Sequence, residues 1–245
     1  MQNGIYVALS AQINMEKRLN AVANNVANLS TAGYRAEDTH FESLLVKASK
    51  GPIAFATVDD TYISRRAGPV SKTDSPLDVA IQGDAWLSVG GAKGPVYTRD
   101  GRMKMDANGQ LRNMSGQPVL DPGGGPILLD PQAGPPVINR DGGIFQGEGP
   151  NANQVGSLGL FTIDPRARLE RAEANAVTTS MPARPVQDFT RMGMIQGHIE
   201  GANVNPVMEM TKLITIQRAF ESAATLTSQT ENSFQGAIRS LSPQG

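Results

Sequence analysis

The sequence predicts an α+β fold: paired N- and C-terminal coiled-coil-like helices with an inserted, mostly antiparallel β domain. Three observations predict it. Helical periodicity is confined to the two ends of the chain. The middle carries turn dipeptides between short apolar runs. Gly (26) and Pro (16) are plentiful, while apolar residues make up 39%, below the roughly 45–50% of an ordinary globular domain.

The helical core is expected from two discontinuous pieces, residues 1–35 and 200–245. In the first, Met15, Leu19, Val22, Val26 and Leu29 follow the 4-3-4-3 spacing of a coiled-coil seam, and Ile5, Leu9 and Ile13 form a second row at i+4. Together the rows cover about 200° of the helix circumference, wider than the ~100° stripe of a surface helix, which suits packing against several neighbours. The stretch ANNVANLSTAGYR, residues 23–35, ends this piece. Asn20, Asn24 and Asn28 recur at i, i+4 and i+8, and Asn25 points elsewhere. Asparagine is a poor helix former, and buried amides must be hydrogen-bonded, so the row is expected to bond to neighbouring helices and fix register. Gly33 reads as a left-handed terminator and Tyr34 as an amphipathic anchor.

Residues 36–75 read as a connecting segment, with a short helix over DTHFESLLVKASK (38–50) and a strand-like TVDDTYISRR (57–66). The β-rich domain follows over 76–199. Asp100-Gly101 and Asn108-Gly109 are hairpin dipeptides, Asp141-Gly142-Gly143 repeats the pattern, and GLFTID (159–164) is a strand. Residues 121–136 read as a loop around one short strand. In the last piece Asn205 is an N-cap and Pro206 opens the helix. Leu213, Ile216, Phe220, Ala223, Thr227, Thr230, Phe234, Ala237 and Leu241 keep a 3-4 alternation, softened by its two threonines. At 1.5 Å per residue the two helices reach ~39 Å and ~54 Å. Weak seams predict helices that are marginal alone and order on assembly.

Several function classes find no support. With no cysteine, thiolate metal sites and thiol catalysis are excluded. The two histidines, His40 and His198, show no zinc spacing, and His40 reads as a helix-surface or capping residue. No phosphate loop or nucleophile elbow occurs. Asp59-Asp60 and the Asp74/Asp78 pair read as turn residues rather than acid/base pairs. Arg65-Arg66 is isolated and the net charge is −1, so no nucleic acid is implied. No run approaches the ~18 apolar residues of a membrane span, and no cleavable signal peptide is read at the start. No catalytic residue, cofactor, metal or small-molecule substrate is therefore expected.

Ala23, Asn24, Asn25, Val26, Ala27, Asn28, Thr31, Gly33, Tyr34 and Arg35 fit a pattern A-N-N-(apolar)-A-N-x-x-T-x-G-(aromatic)-basic, and through it the chain resembles the bacterial flagellar axial proteins, the rod and hook subunits. Val26, where leucine is more usual, and Arg35, where lysine is common, are departures. EGANVNPVMEMTKLITIQRAFES resembles the same family independently, through Gly201, Asn203, Val204, Asn205 and Gln217 to Glu221. SPLDVAIQGDAWLSV and YTRDGRMKMDANGQL resemble the family's β domain. Length and details such as ITIQRAFES favour a proximal rod subunit; a distal rod subunit is the alternative.

The resemblance implies a non-enzymatic structural subunit. It would be exported by the flagellar type III apparatus and polymerise helically into the periplasm-spanning rod of the basal body, with other rod subunits and itself as partners. Its assembly surface would draw on Ile5, Leu9, Leu19, Val22, Asn24, Asn25, Val26, Asn28, Leu29, Gly33 and Tyr34. At the other end it would draw on Asn203, Asn205, Leu213, Ile216, Gln217, Arg218, Phe220 and Phe234. Outside the family, the competing expectations are a non-polymerising β-rich binding module with coiled-coil arms and, behind it, a peptidoglycan hydrolase.

Overall fold

The structure, a computed structural model, describes residues 2–48, 51–147 and 152–241. Its elements run α1 (Gln2–Ala27), β1 (Glu37–Ala48), β2 (Gly51–Ile63), β3 (Val70–Lys72), β4 (Val79–Gln82), β5 (Trp86–Gly91), β6 (Gly94–Thr98), β7 (Met103–Met105), β8 (Leu111–Asn113) and β9 (Val137–Ile138). They continue with β10 (Gly143–Gln146), β11 (Asn153–Ser157), β12 (Leu160–Thr162), β13 (Leu169–Arg171), β14 (Val177–Thr179), β15 (Arg184–Pro185), β16 (Gly193–Gln196), β17 (His198–Glu200) and α2 (Pro206–Leu241). The chain forms two compact units. One comprises residues 1–27, 37–62 and 205–245, the other residues 28–36 and 63–204.

In the first unit α1 and α2 run antiparallel: Asn25 near the end of α1 bonds Glu209 in the first turn of α2, and Arg18 and Val22 share a cavity with Lys212 and Ile216. The predicted coiled-coil-like α+β architecture needs correction. Strand outweighs helix among the described residues, and the helices do not form a coiled coil. Along the α2 seam Ile216 is buried, Leu213 is half-buried and Phe220 is exposed. A buried polar pair, Asn25–Glu209, links the helices. The physical reason is a third partner. β1 packs beside α1, and its residues Glu37, Asp38 and Thr39 share the cavity between the helices, so the apolar arc faces a strand as well as a helix.

The short helix expected over residues 38–50 is likewise a strand, β1, paired with β2. Thr39, Phe41 and Val46 favour extended backbone, and the Thr-, Val- and Ile-bearing β2 supplies a hydrogen-bonding partner across a short connection. The expectation about the His40 side chain lies outside the described residues.

The second unit is built on a six-stranded sheet in the order β13-β14-β6-β5-β12-β15, antiparallel in every described ladder. Alternate residues of β5 serve two cores. Leu87 and Val89 join Val79, Ile81, Leu111, Val119, Ile144 and Leu160 on one face. Trp86 joins Tyr97, Ile163, Leu169 and Val177 on the other. A strand covered on both faces has no solvent side, which is why WLSV is buried throughout.

Asn108-Gly109 does turn β7 into β8, with Gly109 at φ +81 and Asp106 Oδ1 accepting from the Asn108 and Gln110 N–H groups. Asp100-Gly101 does not make a hairpin, because the strands on either side of it, β6 and β7, lie in different sheets. A Cβ on Gly101 would fall 1.8 Å from the Val79 carbonyl oxygen, so this glycine serves close backbone approach. The 121–136 loop carries isolated bridges at Pro126 and Leu128 rather than a strand.

Candidate functional site

The ANNVANLSTAGYR stretch divides between the two units. In the first unit the buried asparagine is Asn25. Its side-chain oxygen accepts the Glu37 N–H at 2.8 Å, while its Nδ2 donates to the Glu37 carbonyl at 2.9 Å and to Glu209 Oε2 at 3.1 Å. The amide thus completes the first residue of β1 as a neighbouring strand would. Glu209 in turn accepts from Lys212 Nζ at 2.6 Å, and Lys212 lies 3.5 Å from Asp38. Although burial opposes its charge, those two carboxylates hold the Lys212 ammonium above its ordinary value. Beside this network is a cavity of about 170 Å³ floored by Ala21, Val22 and Ile216.

The expected row lies differently. Asn20 and Asn24 are exposed, and Asn28 closes the turn after α1, accepting from Thr31 Oγ1 and from the Thr31 N–H. Leu19, Val26 and Leu29 are half-buried, Val22 is buried, and Leu9 is exposed. The side chains of Ile5 and Phe234 lie outside the described residues.

In the second unit residues 28–36 form a strap fixed through many of its backbone groups. Gly33 takes φ +65, and a Cβ there would lie 2.2 Å from the Asp100 nitrogen, so no other residue fits. The Gly33 N–H donates to the Glu200 carbonyl at 2.7 Å and the Asn203 N–H to the Tyr34 carbonyl at 3.2 Å. Asn203 Oδ1 accepts the Ala36 N–H at 2.6 Å, while its Nδ2 donates to Ser64 Oγ and the Arg66 carbonyl. From the other side Asn175 Nδ2 donates to the Ala32 carbonyl and Arg171 to the Arg35 carbonyl. The Arg171 guanidinium also lies 4.2 Å from the centre of the Tyr34 ring, a cation–π contact. Asn175 and Ala174 reach this position with φ near +58, uncommon for residues other than glycine.

Beneath the strap is a buried charge triad. Glu200 Oε1 accepts from Arg35 Nη2 at 2.9 Å and from the Gly68 N–H at 2.8 Å. Its Oε2 accepts from Arg99 Nε at 2.7 Å and Nη2 at 2.6 Å. Arg99 spends its remaining donors on the Ile81, Gly83 and Ala85 carbonyls. Burial, then the like charge of Arg99, pulls the Arg35 guanidinium down to about 10 against the opposing pull of Glu200. Arg35 also stands 5.7 Å over the Trp86 ring. This arrangement locks chain segments together. Arg35 Nε and Nη1 and the neighbouring Trp86 Nε1 are buried there without a hydrogen-bond partner among the described residues.

Asn205 caps α2, its Oδ1 accepting from the Met208 N–H at 3.2 Å. Gln217, Arg218 and Phe220 are exposed on that helix. Sequence reasoning missed Arg99, Arg171, Asn175, Glu200, Glu209 and Lys212. For Arg99 and Glu200 the signal was present: each charged residue sits inside a segment, YTRDG or EGANVN, that the family resemblance had already marked.

Comparison with known proteins adds an independent finding. A family model described as "Flagella basal body rod protein" matches residues 5–35. One described as "Flagellar hook protein FlgE/F/G D1 domain" matches residues 80–146, and "Flagellar basal body rod FlgEFG protein C-terminal" matches residues 195–240. The chain is 45% identical over 241 residues to the flagellar basal-body rod protein FlgF of Mesorhizobium japonicum, covering 98% of each. It is 39% identical to FlgF of Rhizobium meliloti, again over 98% of each. With FlgF of Caulobacter vibrioides the figure is 38%, at the same coverage.

Proposed function

The chain belongs to the flagellar basal-body rod proteins and is a structural subunit of the rod, and from that premise we propose that it is the FlgF-type proximal subunit, polymerising helically after type III export. The observation that supports this best is the identity of 45%, 39% and 38% to three FlgF proteins over 98% of each chain, and the positions of the family matches agree with it. The first and last of them, residues 5–35 and 195–240, cover all but the outer ends of α1 and α2 and reach both sides of the strap, Gly33–Arg35 and Glu200–Asn203.

In this reading the residues divide by task. Asn25, Gly33, Tyr34, Asn203 and Asn205 shape the single subunit. Leu9, Asn24, Gln217, Arg218 and Phe220 are exposed on the helices and face neighbouring subunits. The role is mechanical and involves no turnover. Partners are other rod subunits, further copies of the chain, and the export apparatus during delivery.

Deleting the gene and imaging isolated basal bodies tests the assignment. The expected result is non-motile cells whose basal bodies stop short of a complete rod. Motile cells with complete basal bodies would overturn it.

A further inference from the structure

Three buried donors in the second unit, Arg35 Nε, Arg35 Nη1 and Trp86 Nε1, have no acceptor among the described residues. Arg35 is 3% exposed and Trp86 1%. Guanidinium and indole nitrogens donate and never accept, so neither side chain satisfies the other. Buried donors are ordinarily paired, and three on two neighbouring side chains call for a shared acceptor. The spacing allows one. The Arg35 guanidinium carbon lies 5.7 Å from the centre of the Trp86 ring, and an acceptor about 3 Å from each of two donors spans up to about 6 Å.

The chemistry around the pair selects the kind of acceptor. Glu200 already divides its oxygens among Arg35 Nη2, the Gly68 N–H and Arg99. The cluster around Trp86 includes Ile63, Ile163, Leu169 and Val177, whose side chains offer none. Charge is also unbalanced. Arg35 and Arg99 share the single carboxylate of Glu200, so one positive charge is left over. Burial, and behind it the like charge of Arg99, works against the Arg35 cation. Asp84 attracts both guanidinium groups, but it is exposed, where water and salt screen it. A water molecule would meet the donors, leave the charge, and need acceptors for its own hydrogens. An anion answers both demands.

We propose that Arg35 and Trp86 form a binding site for one small monovalent anion of the chloride class, held between the guanidinium and the indole N–H. Both side chains are buried, so a single-atom ion is the class that fits; sulfate and phosphate are larger and more strongly hydrated. Arg35 belongs to the strap and Trp86 to β5, so the ion ties the strap to the sheet. Order in the strap then depends on a soluble ligand as well as on its own hydrogen bonds.

Trp86, the single tryptophan, reports on the site directly. The full-length chain is titrated with sodium bromide, with sodium gluconate keeping the ionic strength constant. A buried indole is shielded from collisions with dissolved bromide, so the expected result is saturable quenching by an ion bound in contact. Chloride, a poor quencher, should compete and restore the emission, and sulfate should not. Arg35→Lys keeps the positive charge and removes both unpartnered guanidinium donors; it should weaken the bromide midpoint by about ten-fold, the equivalent of one charge-assisted hydrogen bond. Should that variant fail to fold, Trp86→Phe keeps an aromatic ring and removes the N–H. The natural chain should melt about 4 °C higher in chloride than in gluconate, followed by circular dichroism, and Trp86→Phe should lose most of that gain. The proposal is overturned by an absence of quenching, by quenching that rises linearly without saturation, or by sulfate competing as well as chloride. An unchanged midpoint in Arg35→Lys, or an undiminished chloride gain in Trp86→Phe, overturns it too and leaves the rod reading intact.

Discussion

Glu200 is the residue on which the second unit depends most. Its carboxylate is the shared counter-ion of two buried guanidinium groups and also accepts the Gly68 N–H. Replacing a buried ion triad wholesale with apolar side chains can be neutral, but removing one partner strands the others. Glu200→Gln keeps the size and deletes the charge, leaving Arg35 and Arg99 buried side by side without a counter-ion. The expected loss is about 3–5 kcal/mol of unfolding free energy, read from urea denaturation followed by the fluorescence of Trp86, the single tryptophan. A loss under about 1 kcal/mol, the scale of an exposed pair, would show that the triad carries no such weight. The family resemblance marked the segment that holds this residue, but its role as a counter-ion was not legible there. A glutamate in HIEGANVN looks like a surface charge, since only the fold brings residues 35, 99 and 200 together. The asparagines were half legible. Helical phase put Asn20, Asn24 and Asn28 on one row expected to meet neighbouring helices; within the single chain Asn20 and Asn24 stay exposed and Asn25 is the buried one. Phase fixes which side chains share a face; what lies opposite that face decides which one is covered, and here it is β1.

At the scale of elements, α2 is the clearest case of sequence dictating structure. Asn205 and Pro206 start it where cap chemistry requires, and Asn205→Ala should cost about 1 kcal/mol. Amide exchange would report that cost as faster opening of the first turn, around Met208 and Glu209, with the turns beyond Thr215 unaffected. Uniform acceleration along the helix would contradict a local cap. The helix also carries hydroxyls that turn inward on its own backbone: Thr211 donates to the Val207 carbonyl, Thr215 to Thr211, Ser222 to Arg218 and Thr225 to Glu221. Such bonds satisfy the hydroxyl without adding helix stability, consistent with a soft element. β1 was the element misread. A 12-residue strand with Leu-Leu-Val inside it has enough apolar content to pass for a helix until its partner is known. The same limit applied to Asp100-Gly101, where the dipeptide correctly marked a special backbone position but could not say that β6 and β7 part company there.

For the molecule as a whole, the division into units redraws the boundary that the motif suggests. Residues 28–36 are continuous in sequence with α1 but belong to the β-rich unit, through Gly33, Tyr34 and Arg35. Two truncations should therefore behave differently. Removing residues 1–27 should leave the second unit's thermal unfolding within a few degrees of its position in the full chain. Removing residues 1–35 should lower it by roughly 10 °C or more, because Glu200 and Arg99 lose Arg35 and the strap hydrogen bonds go with it. Identical melting of the two fragments, measured by near-ultraviolet circular dichroism, would place the strap outside the folded unit. The broad plan, helices at the ends and antiparallel strands between, was legible because it rests on local periodicity and turn chemistry. The joints were not, because they are made by pairs far apart in the chain. That separation also has a kinetic consequence. Arg35 meets its counter-ion only after a loop of 165 residues closes, and the entropic cost of a loop that long is about 4–5 kcal/mol. High contact order of this kind slows folding. A chain whose last fifty residues have yet to emerge has nowhere to bury that arginine, so the strap is set to dock late, near the end of the folding reaction, and the growing polypeptide stays open until then.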